Sequence, residues 1–239
     1  MIPLFIVVLL LGFAAFELAW IKFNGKPVPR PNISQSPQTI GSGSKLTHVV
    51  LGDSTSISQG GDYAQGYATA TALYIAQTHT VTWANFGVSG ARAKDVADLQ
   101  LKQATAYKPD IVLVAVGAND VTHLTSIGSV RDSFRKLISG LQAVNPSVHI
   151  ILTGSPDMGG PPRLPQPLRT LAGARTQSVN NMIAGLIDGK RVVFAPIAEK
   201  TGPLFRANHR LYAADNFHPT TEGYKVWTPV LTGALDQVL

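Results

Sequence analysis

The 239-residue chain contains no cysteine. That absence excludes a disulfide framework, a thiolate nucleophile and any zinc or iron–sulfur centre built on sulfur. Histidine is scarce, with six, and His48, His79, His149 and His209 fall at no metal-ligand spacing, so neither a metal nor a cofactor is expected. Charged residues are only 14% of the chain against 45% hydrophobic, which excludes a disordered, self-repelling polymer and supplies one substantial core. The net charge is +6, yet no basic run exceeds the pairs Arg135-Lys136 and Lys190-Arg191. Binding to nucleic acid needs a concentrated cationic surface, because each neutralised phosphate adds to affinity; no such partner is expected.

Apolar residues are most concentrated at the start. Ile2 to Phe16 carries no charge, and counting on to Ile21, with Glu17 as the one ionisable residue, gives about the twenty residues a bilayer-spanning helix requires. Two readings of residues 1–21 stand. A retained membrane anchor explains Trp20 at an interface followed by Lys22 and Lys26. A cleaved signal segment would use the small residues Gly12 and Ala14, but it lacks a basic leader and hydrophobicity continues beyond them. Either reading gives a membrane-anchored or secreted protein with its folded part outside the cytoplasm, although the lysines after the span would on their own hold it inside. Residues 22–45, rich in Pro, Gly and Ser without apolar periodicity, read as a tether.

Residues 46–239 read as the folded domain. Short β-branched runs at Leu46–Leu51, Val81–Phe86, Ile111–Val116, Val148–Thr153 and Val192–Pro196 suit strands covered on both faces, as in a parallel sheet. Amphipathic patterns lie between them at about 64–77, 93–107, 130–143, 168–187 and 221–238. Five alternations predict an α/β protein: a three-layer α/β/α sandwich around a central five-stranded parallel sheet. The stretches 159–167 and 198–212 are expected as loops rimming a pocket.

In open sheets of this kind ligands sit beyond the carboxyl ends of the strands. Polar clusters of unusual composition fall there: Gly52-Asp53-Ser54, then Gly87 to Arg92, then Gly117-Ala118-Asn119-Asp120. A serine becomes a competent nucleophile when a base takes its proton, a third group orients the base and donors receive the oxyanion. Ser54 offers the hydroxyl; His218 in Asp215-Asn216-Phe217-His218-Pro219 offers the base; and Asp215, three residues earlier, can hold its tautomer. Gly90 can present a backbone N–H, and Asn119 a side-chain amide. Taken singly each has a bland reading as turn, cap or surface residue; their order along the chain makes the case.

These four blocks resemble the SGNH hydrolases, the GDSL-type esterases and lipases. Gly52-Asp53-Ser54 matches the GDS block, Asn85 to Gly90 the glycine block, Gly117 to Asp120 the G-x-N-D block and Asp215 to His218 the D-x-x-H block. The resemblance covers about Leu46 to Leu239. It implies a flavodoxin-like fold, a Ser54–His218–Asp215 triad, and an oxyanion hole from the Ser54 amide, the Gly90 N–H and the Asn119 side chain. It also implies hydrolysis of carboxylic esters through an acyl-enzyme, with short acyl or acetyl esters expected here. O-acetylated carbohydrate, lysophospholipid and thioester substrates, acyl transfer, and a non-catalytic binding role are the alternatives. No G-x-S-x-G pentapeptide surrounds any serine, so the α/β-hydrolase elbow is absent. Asp53 is expected to shape the turn around Ser54, Asp120 to support the site without reacting, and His123 to be satisfied by a neighbouring carbonyl. Asp157 and Arg92, at strand ends, are expected in structural or surface roles, with substrate contact as the alternative. Oligomeric state is left open.

Overall fold

The computed structural model describes residues 4–239, with the side chains of 6, 12, 13, 15–17 and 19–239. Helix α1 (Leu4–Phe23) opens the chain, followed by strands β1 (Gln38–Gly41) and β2 (Ser44–Gly52) and helix α2 (Tyr67–Ile75). Then come β3 (His79–Asn85) and a helical stretch made of α3 (Ala93–Asp95), a π-helical turn (Val96–Gln100) and α4 (Leu101–Thr105). Next are β4 (Ile111–Ala115), α5 (Ala118–Thr122), α6 (Ile127–Val144), β5 (His149–Leu152) and α7 (Leu168–Ala184). The chain finishes through β6 (Val192–Phe194), α8 (Ile197–Ala207) and α9 (Thr221–Leu235).

The sheet has six strands in the order β1-β3-β2-β4-β5-β6, all parallel except β1, which runs antiparallel to β3. Without β1 the order is that of flavodoxin-like doubly wound sheets, as expected. The sixth strand corrects the expected count of five. It also corrects part of the tether, because Gln38–Gly41 pairs with Thr80–Trp83 and β2 begins at Ser44. β1 is a polar edge strand whose Ile40 alone packs on the core, so it leaves no alternating hydrophobic signature.

Alternation along β2 explains the two-sided core. Val49 and Leu51 point into the cluster with Val112, Val114, Phe134, Leu137, Leu141, Val179 and Ile183, while Val50 faces Leu113, Tyr67, Tyr224, Trp227 and Leu231. A continuous apolar run is what a strand covered by helices on both faces needs. In α6 the core residues Val130, Phe134, Leu137 and Leu141 recur at helical spacing, and Ser126 caps the start by accepting from the Ser129 N–H. The expected 198–212 rim loop is mostly helix α8, another correction. Pro203 inside it argues against a helix from sequence, but Ile197, Thr201 and Phe205 are buried along one face, and that packing outweighs the proline's cost.

The reading of residues 1–21 lies partly outside the described residues. Among the described residues no helix is long and apolar enough to cross a membrane.

Candidate active site

Ser54 follows directly on the carboxyl end of β2, and the turn that carries it is built by its neighbour. The Asp53 carboxylate Oδ1 accepts from the Thr55 N–H at 2.9 Å and the Thr55 hydroxyl at 2.8 Å, and the Ser56 hydroxyl donates back to the Asp53 carbonyl at 2.7 Å. Asp53 thus shapes the turn, as the sequence suggests. Its carboxyl is fully enclosed, and burial pushes its pKa up to about 6 against the hydrogen bonds from Thr55 and the nearby charge of His218.

The loop before α9 brings the other two residues to Ser54. His218 Nε2 lies 2.9 Å from Ser54 Oγ, and His218 Nδ1 lies 2.6 Å from Asp215 Oδ2. The second oxygen of Asp215 accepts from the backbone N–H groups of Phe217 and His218, both at 3.0 Å. Burial alone would raise the Asp215 pKa. The hydrogen bond and charge of His218 and the two amides outweigh it, so the carboxyl stays below its ordinary value and ionised at neutral pH. Thr220 then caps α9 by accepting from the Gly223 N–H, which fixes where the loop ends and the helix begins. A hydroxyl, an imidazole and an ionised carboxylate thus stand in one hydrogen-bonded line, the arrangement that lets a serine lose its proton to a base.

Asn119, at the start of α5, lines the same pocket as Ser54 and His218, and its Nδ2 donates one hydrogen to the Ala91 carbonyl at 3.0 Å. The second N–H of that amide is not engaged by this bond. Gly90 adopts φ +84°, a left-handed conformation that favours glycine. It lines an adjacent shallow depression with Ser89, Ala91 and Leu99, whereas the Ser54–His218 pocket is lined by others. Asp120 is buried and accepts from the Ala93 N–H at 2.8 Å, so it ties α5 to the start of α3. His123 Nδ1 bonds the Asn119 carbonyl at 2.9 Å in an exposed position, as expected. Arg92 is a surface residue beside Asp95. Asp157 lines the pocket and is ion-paired with Arg206. Among the described residues no group of His, Asp and Glu is arranged to hold a metal.

Two supports were not legible in the sequence. Gln100, turned inward by the π-helical turn, clamps Gly52 from the side where β3 has ended: its amide accepts from the Gly52 N–H and donates to the Gly52 carbonyl, both at 2.8 Å. Asn85 donates to the Ser56 carbonyl at 2.8 Å and accepts from the Gly87 N–H at 2.9 Å. At Gly87 a Cβ would lie 1.8 Å from Ser56 Oγ, so the Ser56 side chain of the serine turn packs directly on the backbone of the glycine block. A glutamine in an amphipathic run carries no signal of its own; Asn85 lies in the glycine block, where its spacing is the only clue.

The pocket between Ser54, His218 and Asn119 encloses about 30 Å³ and is walled mainly by apolar side chains, among them Pro156, Met158, Phe205, Phe217 and Trp227. An open groove of about 850 Å³ adjoins it, sharing Asp157 and lined by polar side chains, among them Gln166, Arg169, Asn180 and Arg206, together with apolar ones such as Ala174, Phe194 and Pro196.

The sequence pattern of the GDSL-like Lipase/Acylhydrolase family matches residues 50–226, a span that holds every residue of this arrangement. The chain belongs to the GDSL-like lipase/acylhydrolase family. A curated relative, the GDSL-like esterase Rv1075c of Mycobacterium tuberculosis, is 27% identical over 197 residues, which are 80% of this chain and 62% of that protein. The chain therefore spans less than two thirds of that relative's length. Solved structures share the fold of this GDSL-like chain. TesA superposes with a TM-score of 0.64 at 18% identity, over 81% of this chain and 99% of its own. A catalytic mutant of Axe2, an acetylxylan esterase from Geobacillus stearothermophilus, gives 0.61 at 18% identity, over 83% and 96%. The lipase Lip_vut3 from a goat rumen metagenome gives 0.65 at 15% identity, over 79% and 97%.

Proposed function

We propose that this protein hydrolyses short-chain carboxylic esters through an acyl-enzyme formed on Ser54. The observation that carries the reading is the unbroken line from Asp215 to His218 to Ser54, with contacts of 2.6 and 2.9 Å. In this mechanism Ser54 Oγ attacks the ester carbonyl carbon while its proton passes to His218 Nε2. Asp215 keeps the Nδ1–H of the imidazole pointed at itself and stabilises the imidazolium. The negative charge on the former carbonyl oxygen is received by the Ser54 amide, the Gly90 N–H and the Asn119 side chain. Collapse expels the alcohol, which takes the proton from His218. Water then attacks the acyl-serine with His218 again as base, releasing the acid and restoring the hydroxyl.

A small acyl group is supported by the size of the pocket. By the measure on which one water needs about 10–15 Å³, 30 Å³ suits an acetyl group better than a long chain. The amide and arginine side chains along the adjoining groove offer hydrogen-bond partners to a hydrophilic alcohol such as a carbohydrate. The acetylxylan esterase activity named for the Geobacillus neighbour is consistent with that choice. Rates on p-nitrophenyl acetate, butyrate and octanoate test it: turnover should fall with chain length and vanish in Ser54→Ala, and octanoate as the best substrate would reject the short-acyl reading.

The N-terminal helix is proposed to hold the enzyme at a membrane on the extracytoplasmic side. Support comes from the uncharged run Ile2–Phe16 and from Phe13, Phe16, Trp20 and Phe23, which are exposed at spacings that share one helix face. The mass of the mature protein and its release or retention by carbonate-washed membranes decide between anchor and cleaved segment.

A further inference from the structure

Part of the stretch that reads as a tether is fastened to the loop that carries Asp215 and His218. Asn24 Nδ2 donates to the Pro162 carbonyl at 2.8 Å, and Asn24 Oδ1 accepts from Asn216 Nδ2 at 3.0 Å. The Lys26 N–H donates to the Ala214 carbonyl at 2.7 Å. Between them Gly25, at φ +116°, lies so close that a Cβ would stand 2.4 Å from the Asp215 carbonyl oxygen. Arg163 completes the bracket: its N–H donates to the Asn216 carbonyl at 3.0 Å and its Nε to the Ile21 carbonyl at 3.1 Å.

The bonds within residues 213–218 give the loop its shape. The Asp215 carboxylate takes the Phe217 and His218 amides, the Asn216 N–H reaches the Ala213 carbonyl, and the Ala213 N–H reaches the His218 carbonyl. None of these fixes where the loop stands relative to Ser54, which arrives on β2. The base of the loop packs on Gly60, where a Cβ would lie 2.9 Å from the His218 Cβ, and at its tip the position is held by the bonds from Asn24, Lys26 and Arg163. Asn216 adopts φ +57°, a left-handed conformation that Asn takes more readily than other non-glycine residues, and Asn24 and Arg163 grip its side chain and its carbonyl. Of the pocket walls, Phe217 and Pro219 move with this loop while Pro156, Met158, Phe205 and Trp227 lie outside it, so loosening this grip alters the approach of His218 to Ser54 while leaving most of the binding pocket in place.

We propose that Asn24 is a positioning residue for the reaction, acting through Asn216 and the Asp215 backbone to hold His218 against Ser54, so that the segment following α1 is part of the active-site support. This rests on the triad reading above. The test uses the full chain and p-nitrophenyl acetate. Asn24→Ala should lower kcat about tenfold with KM within twofold, because small displacements of a reacting group cost rate and leave ground-state binding alone. Asn216→Ala should lower kcat in the same direction, and the double variant should be no worse than Asn24→Ala, since the Asn24–Asn216 bond is lost in both and Asn24→Ala also loses the bond to Pro162. Asn24→Asp keeps the acceptor for Asn216 and should recover kcat to within threefold of the parent. Gly25→Ala, which drives a methyl into the Asp215 peptide, should be at least as slow as Asn24→Ala. The proposal is overturned if Asn24→Ala keeps kcat within twofold, or if the two single losses multiply in the double variant. Ser54→Ala run alongside separates the two failures: an active Ser54→Ala enzyme removes the triad reading, whereas an inactive one beside a fully active Asn24→Ala removes only the role of Asn24.

Discussion

Replacing Asp215 by Asn separates the two functions its oxygens serve. Oδ1 takes the amides of Phe217 and His218, each at 3.0 Å, and an Asn carbonyl oxygen can take both. The loop keeps its turn, and the variant should fold like the parent. The new NH₂ then occupies the place of Oδ2, 2.6 Å from His218 Nδ1. Two donors cannot face each other there, so the imidazole moves its proton to Nε2 and presents an N–H to Ser54 Oγ where it formerly presented a lone pair. His218 can no longer accept the serine proton, and the imidazolium loses its counter-charge. Where an Asn replaces the buried aspartate of a serine-protease triad the loss in kcat is about 10⁴-fold, roughly 5 kcal/mol of barrier. A loss of that size is expected here on p-nitrophenyl acetate, without recovery between pH 7 and 9, because the fault is the tautomer and not its protonation. Asp215→Asn within a hundredfold of the parent, at unchanged thermal midpoint, would refute the reasoning.

Other expectations follow from the same geometry. Asn119→Ala should lower kcat about a hundredfold with little change in KM, since the amide acts on charge that develops in the transition state; a loss under fivefold removes Asn119 from the oxyanion hole. Asp53 has a folded-state pKa of about 6 against an ordinary 3.8, because burial penalises its charge. The folded chain therefore binds more protons between those values, so this contribution to stability is complete below pH 4 and lost as pH rises through 6, on the order of 3 kcal/mol. Asp53→Asn, uncharged throughout, should flatten the fall in thermal midpoint between about pH 4 and 6, and parallel curves for the two proteins would contradict the buried carboxyl. Gln100→Ala leaves the buried Gly52 N–H without its partner and should cost about 1–3 kcal/mol in urea unfolding; an unchanged midpoint would show that Gly52 finds another bond.

The five parallel strands and the main helices were legible because strands buried on both faces must be continuously apolar, as Val49-Val50-Leu51 and Ile111 to Ala115 are. The candidate site was legible because its residues fall at strand ends or just before the last helix, in blocks of recognisable type. What escaped was whatever depends on pairing between distant polar segments. β1 has one apolar contact through Ile40, and α8 hides behind Pro203. Gln100 gains its meaning only when a π-helical turn aims it at Gly52. Asn24 and Lys26 lie in a Pro- and Gly-rich stretch whose composition reads as free chain, yet their partners lie near the other end of the sequence, 192 residues away for Asn216 and nearly as far for Ala214.

The hydroxyl of Ser54 is the atom proposed to be acylated. Treatment of the folded full-length chain with a fluorophosphonate, followed by intact mass and peptide mapping, reads this directly. A single adduct on Ser54, formed in step with the loss of esterase activity and absent from Ser54→Ala, is the expected result. An adduct on another residue, or an unlabelled enzyme that still turns over ester, contradicts it.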